Sequence, residues 1–196
     1  MQLIHLGDLE LTAPLAAAAG AWLLGAREWR AVAAWTVLYA GAIFLVGASK
    51  IAYLAWGAML DPIAFKAFSG HAAGVTAVYP VLGYLLCRPM GRGAAFAAAC
   101  TGLTLGLVLA AVLVGRAEHT AAEAVAGWML GACASIGTVY LLEPRGIVPG
   151  PASAACAVAV FVASAHLMQS AHVGYWMVKL ALALSGNAQP YSWDTC

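Results

Sequence analysis

The stretch that decides the fold is "GAAFAAACTGLTLGLVLAAVLVG", residues 93–115, which contains no Asp, Glu, Lys, Arg or His. A membrane-spanning helix needs about 20 apolar residues to cross about 30 Å of hydrocarbon, and this stretch is long enough. Only helices and closed barrels satisfy their backbone hydrogen bonds in lipid. Because the stretch lacks the two-residue alternation of a barrel strand, it predicts a transmembrane helix.

The rest of the chain has the same character. Of its 196 residues, 64% are hydrophobic and only 9% are charged, and the mean hydropathy is +0.88. Soluble domains average about 25% charged residues. We therefore predict a single-domain, all-α integral membrane protein over residues 1–196, built as a bundle of about six transmembrane helices. The predicted spans are 11–26, 31–55, 70–87, 93–115, 120–142 and 151–169. A further apolar stretch, 172–184, is a frayed continuation, an interfacial helix or a re-entrant piece.

The basic residues predict the orientation of the bundle. Those that follow spans one, three and five share one face: Arg27, Arg30, Arg88, Arg92 and Arg145. The other face carries Lys50, Lys66, Arg116 and Lys179. Because we assign most of this second group to a functional site below, the positive-inside rule makes the first face cytoplasmic and puts both termini outside.

Composition also indicates the compartment and the partners. The alanine-rich, bacterial-style sequence indicates a bacterial inner membrane, which places the site on the periplasmic side. The net charge of +1 and the lack of a basic run give no indication of nucleic-acid binding. The bilayer is an expected partner, and the oligomeric state is left open.

Polar residues are rare in the spans, and several lie at one face. An ionisable group at mid-helix costs about 2.5–3.5 kcal/mol on insertion scales, so each one is informative. The candidates at the ends of spans two to five are Lys50, Lys66, Ser69, Gly70, His71, Arg116, His119 and Glu123. Since all of these ends lie on the predicted outer face, the side chains are expected to meet at one depth.

These residue types suit a phosphate group. Lys50 and Arg116 offer positive charge and hydrogen-bond donors. Gly70 lies at a predicted helix N-terminus, where unpaired backbone N–H groups favour an anion. Two histidines provide an acid and a nucleophile. Glu123 lies four residues after His119, on the same predicted helix face, and is placed to hold its imidazole N–H.

Two of these segments resemble signatures of a known family. "SGHAAG", residues 69–74, is similar to the Pro-Ser-Gly-His signature of the type 2 phosphatidic acid phosphatases, membrane lipid phosphatases related to vanadium haloperoxidases. "GRAEHTAAEAVAGWMLGA", residues 115–132, resembles the family's third signature, and Lys50 in "GASKIAYLAWG" resembles the lysine of the first. The resemblance covers residues 48–132.

The resemblance implies hydrolysis of a phosphomonoester or pyrophosphate of a membrane lipid through a phosphohistidine. The implied substrates are polyprenyl pyrophosphate, such as undecaprenyl pyrophosphate, phosphatidylglycerol phosphate or phosphatidic acid. By position, His119 resembles the nucleophile, Glu123 its orienting partner and His71 the general acid. The residues that resemble the phosphate ligands are Lys50, Ser69, Gly70 and Arg116. No metal or other cofactor is implied.

The sequence also departs from the family pattern. The Arg-Pro pair expected after Lys50 is missing, and Phe68 replaces the proline of the second signature. Only two residues separate Arg116 from His119, where the family has five, and a glutamate stands at the position of the aspartate. Lys66, three residues before Ser69, is expected to take the place of the missing arginine.

Alternative functions remain open at the level of sequence. A non-catalytic lipid-phosphate binding or transport protein on the same scaffold is favoured by the missing Arg-Pro pair. A metal-dependent membrane hydrolase would hold zinc with His71, His119 and Glu123, although the chain lacks an HExxH motif. A haem-binding bundle is a more distant alternative, because it requires histidines that face each other across helices.

Overall fold

The computed structural model describes residues 3–143 and 150–192. Its α-helices are α1 (Leu9–Gly25), α2 (Trp29–Trp56), α3 (Gly70–Cys87), α4 (Arg92–Gly115), α5 (Ala121–Leu142), α6 (Pro151–Met168) and α7 (Val173–Ser185). Short 3-10 helices cover Ile4–Gly7, Asp61–Ile63 and Arg88–Met90. The predicted all-α bundle is confirmed. The predicted spans match α1 to α6 to within about two residues at each end, because apolar length alone sets them.

Among the described residues, five helices, α2 to α6, are long and apolar enough to cross a membrane, and the protein is therefore a membrane protein. At 17 residues, α1 is shorter. Its rise of about 1.5 Å per residue puts it at the lower limit for a span. The α7 helix has only 13 residues.

The apolar stretch after α6 forms a separate helix. His172 adopts a left-handed conformation, with φ of 41°, and separates α6 from α7. The α7 helix packs against α2. The chain beyond it is then tied to the end of α2, since Asn187 Nδ2 donates to the Ala55 carbonyl at 2.8 Å and Tyr191 N donates to the Leu54 carbonyl at 3.0 Å.

Helix α3 lies at the centre of the bundle and contacts α1, α2, α4 and α5. Glycines on its neighbours allow this close packing. A Cβ at Gly102 of α4 would lie 2.5 Å from the Pro80 backbone nitrogen, and a Cβ at Gly131 of α5 would overlap the Ala73 carbonyl oxygen. Small residues thus bring backbones together, as is common between helices in lipid.

Successive helices run in opposite directions, so α1, α3 and α5 begin where α2, α4 and α6 end. We call this the site end of the bundle. At the opposite end, Arg92 Nε forms an ion pair with Glu143 Oε1 at 2.6 Å. Arg145, one of the basic residues used to predict the orientation, lies outside the described residues.

The close packing of α5 on α3 predicts that the protein loses stability when Gly131 is replaced by a larger residue. Gly131→Val should lower the stability by about 1–3 kcal/mol, because the new side chain meets the fixed backbone of Ala73. Gly41→Val is the matched control, since a Cβ there meets nothing within 4 Å. Thermal unfolding in detergent measures both variants. Equal melting temperatures for Gly131→Val and the parent would show that α5 does not pack this closely.

Candidate functional site

The start of α5 directs a carboxylate into the protein. Thr120 is the N-cap, and its Oγ1 accepts a hydrogen bond from Glu123 N at 3.2 Å. In return, Glu123 Oε2 accepts from Thr120 N at 3.1 Å, which completes a capping box. The Glu123 carboxylate therefore folds back over the start of its own helix, and the residue is completely buried.

His119 is held by this carboxylate. Its Nδ1 lies 2.9 Å from Glu123 Oε2, and only 5% of the residue is exposed. The two residues do not lie on one helix face, as the spacing had suggested, because His119 precedes the N-cap of α5. Since a carboxylate accepts the proton on Nδ1, the lone pair of the neutral ring lies on Nε2.

The same glutamate fixes the segment that leads into α3. Glu123 Oε1 accepts a hydrogen bond from Lys66 N at 3.0 Å, and the Glu123 carbonyl accepts from Ser69 N at 3.1 Å. Phe68 N donates to Ser49 Oγ at 3.2 Å, which ties the segment to α2 as well. The two family-like segments thus lie side by side at the site end.

Helix α3 begins against a lysine. Ser69 is its N-cap, and the buried Oγ accepts from Ala72 N at 3.4 Å. A Cβ placed on Gly70 would lie only 3.9 Å from Lys50 Nζ. The ammonium group of Lys50 therefore lies beside the first turn of α3, where unpaired N–H groups and the helix dipole also favour an anion.

His71, in the first turn of α3, pairs with a residue that the sequence analysis did not single out. Its Nε2 lies 3.1 Å from Asp8 Oδ1. Asp8 is the N-cap residue of α1 and belongs to the site end. An aspartate just before the first apolar span is a common helix-start signal. If Asp8 had been included among the polar residues of the predicted outer face, the sequence would have placed it in the candidate site.

A cavity of about 590 Å³ opens between α1, α2 and α7. Its wall includes Asp8, Lys50, Gly70, His71, His172 and Tyr175, together with apolar side chains from α2 and α7. His119 and Glu123 do not form part of this wall. The histidine–glutamate pair is therefore buried beside the start of α3 and does not line the open cavity.

Two predicted phosphate ligands have other partners. Arg116 Nε forms an ion pair with Glu118 Oε1 at 2.8 Å, and its side chain is 47% exposed. The residue between them, Ala117, is left-handed, with φ of 56°. The Lys66 ammonium lies over the Tyr53 ring, 5.4 Å from its centroid. In this conformation, neither cation adds its charge to the cavity wall.

Electrostatics connect the buried pair to the cavity residues. His119 lies between α4 and α5, and burial lowers its pKa below the ordinary value. The hydrogen bond and charge of Glu123 oppose this shift without reversing it, while the positive charges of Lys50 and His71 add to it.

The two histidines of the predicted site have separate carboxylate partners, Asp8 for His71 and Glu123 for His119. Within residues 3–143 and 150–192, no three His, Cys, Asp or Glu side chains converge in a way that could hold a metal ion. This geometry gives no support to the zinc site considered from the sequence.

The fold and site thus define a membrane protein with a buried histidine–glutamate pair beside a basic helix start. The chain is 29% identical over 185 residues to an uncharacterized 22.5 kDa protein in the cps region of Klebsiella pneumoniae. The alignment covers 94% of this chain and 82% of that protein. No protein-family model matches the sequence. No solved structure matches it either.

The three hydrogen bonds to the Glu123 carboxylate predict that replacing it with the isosteric amide of glutamine lowers the stability of the protein. A glutamine has one oxygen, so its NH₂ group must face a donor from Lys66 on one side or from His119 and Thr120 on the other. Glu123→Gln should therefore lower the stability by about 1–3 kcal/mol. Thermal unfolding tests this, with Glu118→Gln as the control because its ion pair is exposed. Equal losses in the two variants would contradict the special role of the buried carboxylate.

Proposed function

We propose that the protein is an integral membrane lipid phosphatase that hydrolyses a phosphomonoester or pyrophosphate of a membrane lipid through a phosphohistidine. One observation carries the proposal. The buried His119–Glu123 pair is joined through the backbone of Ser69 to the start of α3, where Lys50 lies beside Gly70. A nucleophile with its orienting carboxylate, and a basic anion site, therefore occupy neighbouring positions.

In the proposed first step, His119 Nε2 attacks phosphorus while Glu123 keeps the proton on Nδ1. The N–P bond forms as the bond to the leaving oxygen breaks. The carboxylate then compensates the positive charge that the imidazole gains, in the way that aspartate supports histidine in hydrolase triads. The 2.9 Å hydrogen bond supports this role, because it fixes both the ring orientation and the tautomer.

The first turn of α3 and Lys50 bind the phosphate oxygens. The backbone N–H groups of the turn are partly unpaired, as at any helix start, and they point toward the approaching anion. The ammonium of Lys50 adds a charge-assisted contact. Ser69 shapes this turn by capping it. Arg116 joins the site when the phosphate replaces Glu118 as its partner.

His71 acts as the general acid and then as the general base. It first gives a proton to the leaving oxygen, which releases the lipid alcohol or lipid phosphate. In the second step it accepts a proton from the water that attacks the phosphohistidine, so that inorganic phosphate leaves and His119 is restored. The proton count of His71 returns to its starting value, and the cycle needs no further reactant.

The membrane setting supports a lipid substrate. The cavity that holds Lys50 and His71 is mainly apolar and opens between helices α1, α2 and α7, which suits entry from the bilayer. The relative in Klebsiella pneumoniae supports a bacterial setting. We place the protein in the inner membrane with the site end periplasmic, because Arg27, Arg30, Arg88 and Arg92 lie at the opposite end.

A non-catalytic lipid-phosphate binding protein on the same scaffold is the second candidate. It is favoured by the separation between the cavity wall and His119, and by the ion pair that Arg116 makes with Glu118. In that case Lys50 and the α3 start would hold the headgroup while the histidine–glutamate pair served only to fix the two segments.

Phosphate release is the first measurement that distinguishes these candidates. Detergent-purified protein should release phosphate from phosphatidic acid, phosphatidylglycerol phosphate or undecaprenyl pyrophosphate with EDTA present. His119→Ala should reduce the rate by about 10³-fold or more, since the nucleophile is lost. His166→Ala, a histidine of α6 outside the site, is the matched control and should keep the parent rate. Release abolished by EDTA would favour a metal-dependent hydrolase, and a folded protein without release would favour the binding protein.

The pH dependence tests the roles of the two histidines. His119 must be neutral to attack, and its lowered pKa keeps it neutral to more acidic pH than an ordinary histidine. The rising limb of kcat/KM should therefore have its midpoint below about 6.5. The rate should fall again at higher pH as the general acid loses its proton, which gives a bell shape. A flat profile between about pH 5 and 8 would argue against both assignments.

A further inference from the structure

We propose that Asp8 is a positioning residue for the general acid, which holds the His71 ring in the orientation that protonates the leaving group. The inference rests on the proposed function and adds a residue outside the family-like segments. Its basis is the carboxylate of Asp8, each oxygen of which lies within hydrogen-bond distance of a different histidine. Oδ1 lies 3.1 Å from His71 Nε2, and Oδ2 lies 2.9 Å from His5 Nδ1.

The carboxylate is turned away from its own helix. Asp8 occupies the N-cap of α1, where an aspartate side chain usually accepts a hydrogen bond from the first turn. No such side-chain bond is made here. Instead, the Asp8 backbone carbonyl accepts from Leu11 N at 3.0 Å and from Thr12 N at 2.9 Å, and also from Thr12 Oγ1 at 3.1 Å. The backbone is thus fixed while the carboxylate is directed to the two histidines.

The segment before α1 is docked on α3 at this point. A Cβ on Gly7 would lie 2.7 Å from His71 Cβ and 2.9 Å from His71 Cα, so only glycine allows the approach. One residue earlier, the Leu6 carbonyl accepts a hydrogen bond from Tyr79 Oη at 3.3 Å. Because both sides of the contact are anchored in this way, Asp8 and His71 hold a defined distance.

The contact assigns a role to each nitrogen of His71. Asp8 accepts the proton on Nε2, which leaves Nδ1 as the nitrogen that transfers a proton to the leaving oxygen. The carboxylate also compensates the positive charge of the acid form. Lys50 lines the same cavity and brings a positive charge of its own, so a carboxylate beside His71 balances that charge as well. Asp8 does not touch the substrate in this scheme and acts through His71.

Leaving-group dependence tests the proposal, because a general acid matters only when the leaving oxygen needs a proton. Asp8→Asn should lower kcat/KM for phosphatidic acid, an alkyl ester, by about 10²-fold, because kcat/KM reports the steps up to departure of the leaving group. With 4-nitrophenyl phosphate, whose leaving group departs without protonation, kcat/KM should stay within about threefold of the parent. Hydrolysis of the phosphohistidine, in which His71 acts as a base, is common to both substrates and does not enter this comparison. Asp8→Glu, which keeps a carboxylate, should recover part of the lost rate.

Glu10→Gln is the matched control. It removes a carboxylate from the first turn of the same helix, and Glu10 is not hydrogen-bonded to His71. Its ratio of alkyl to aryl rates should equal that of the parent. Asp8→Asn should unfold at the parent temperature, because the carboxylate does not cap α1.

The outcomes separate the two proposals. Equal losses on the alkyl and aryl esters, or no loss on either, would overturn the role of Asp8 and leave the phosphatase in place. A parent protein that releases no phosphate from any substrate would overturn the phosphatase and, with it, this role of Asp8. A selective loss on the alkyl ester, reproduced by His71→Ala, is the result expected.

Discussion

The site end of the bundle depends on one buried negative charge, the carboxylate of Glu123. An ionised carboxylate without water is tolerated only when hydrogen-bond donors surround it. Here the donors come from three places, namely the His119 ring, the Thr120 backbone and the Lys66 backbone. Moving any of these segments would leave the charge short of a donor. The loops before α3 and α5 are therefore held in place, because moving them would leave the buried Glu123 carboxylate without hydrogen-bond donors, at a cost in free energy.

Close packing of the helices makes this arrangement possible. Gly127 lies one turn beyond Glu123, and a Cβ there would lie 2.5 Å from the Ser69 carbonyl oxygen. A larger residue would push the start of α5 away from the start of α3. The hydrogen bond from Ser69 N to the Glu123 carbonyl, at 3.1 Å, would then be lost. The small residues that let helices associate in lipid thus also set the geometry of the polar site.

The sequence predicted the helices and the shared end of the bundle well, because both follow from local rules. Apolar length fixes the spans, and alternating direction brings Lys50, Gly70 and His119 to one end. The contact between His71 and Asp8 follows from no local rule. The two residues are 63 positions apart, and they meet only because Gly7 lets a short 3-10 helix approach α3. Long-range contacts of this kind depend on how close two backbones come, which periodicity does not report.

The contacts of the Arg116 side chain were also not predictable from local sequence rules. Its position at the end of span four placed it among the site candidates, whereas the left-handed Ala117 turns the chain so that Arg116 meets Glu118. An exposed ion pair of this kind is worth about 0–1 kcal/mol. A phosphate dianion binds a guanidinium more strongly, through charge-assisted and frequently bidentate contacts. Glu118 is therefore a weak competitor for Arg116, and a bound phosphate within reach of the side chain would outweigh it. The distinction between catalysis and simple binding thus depends on access to His119, which is buried beside the start of α3.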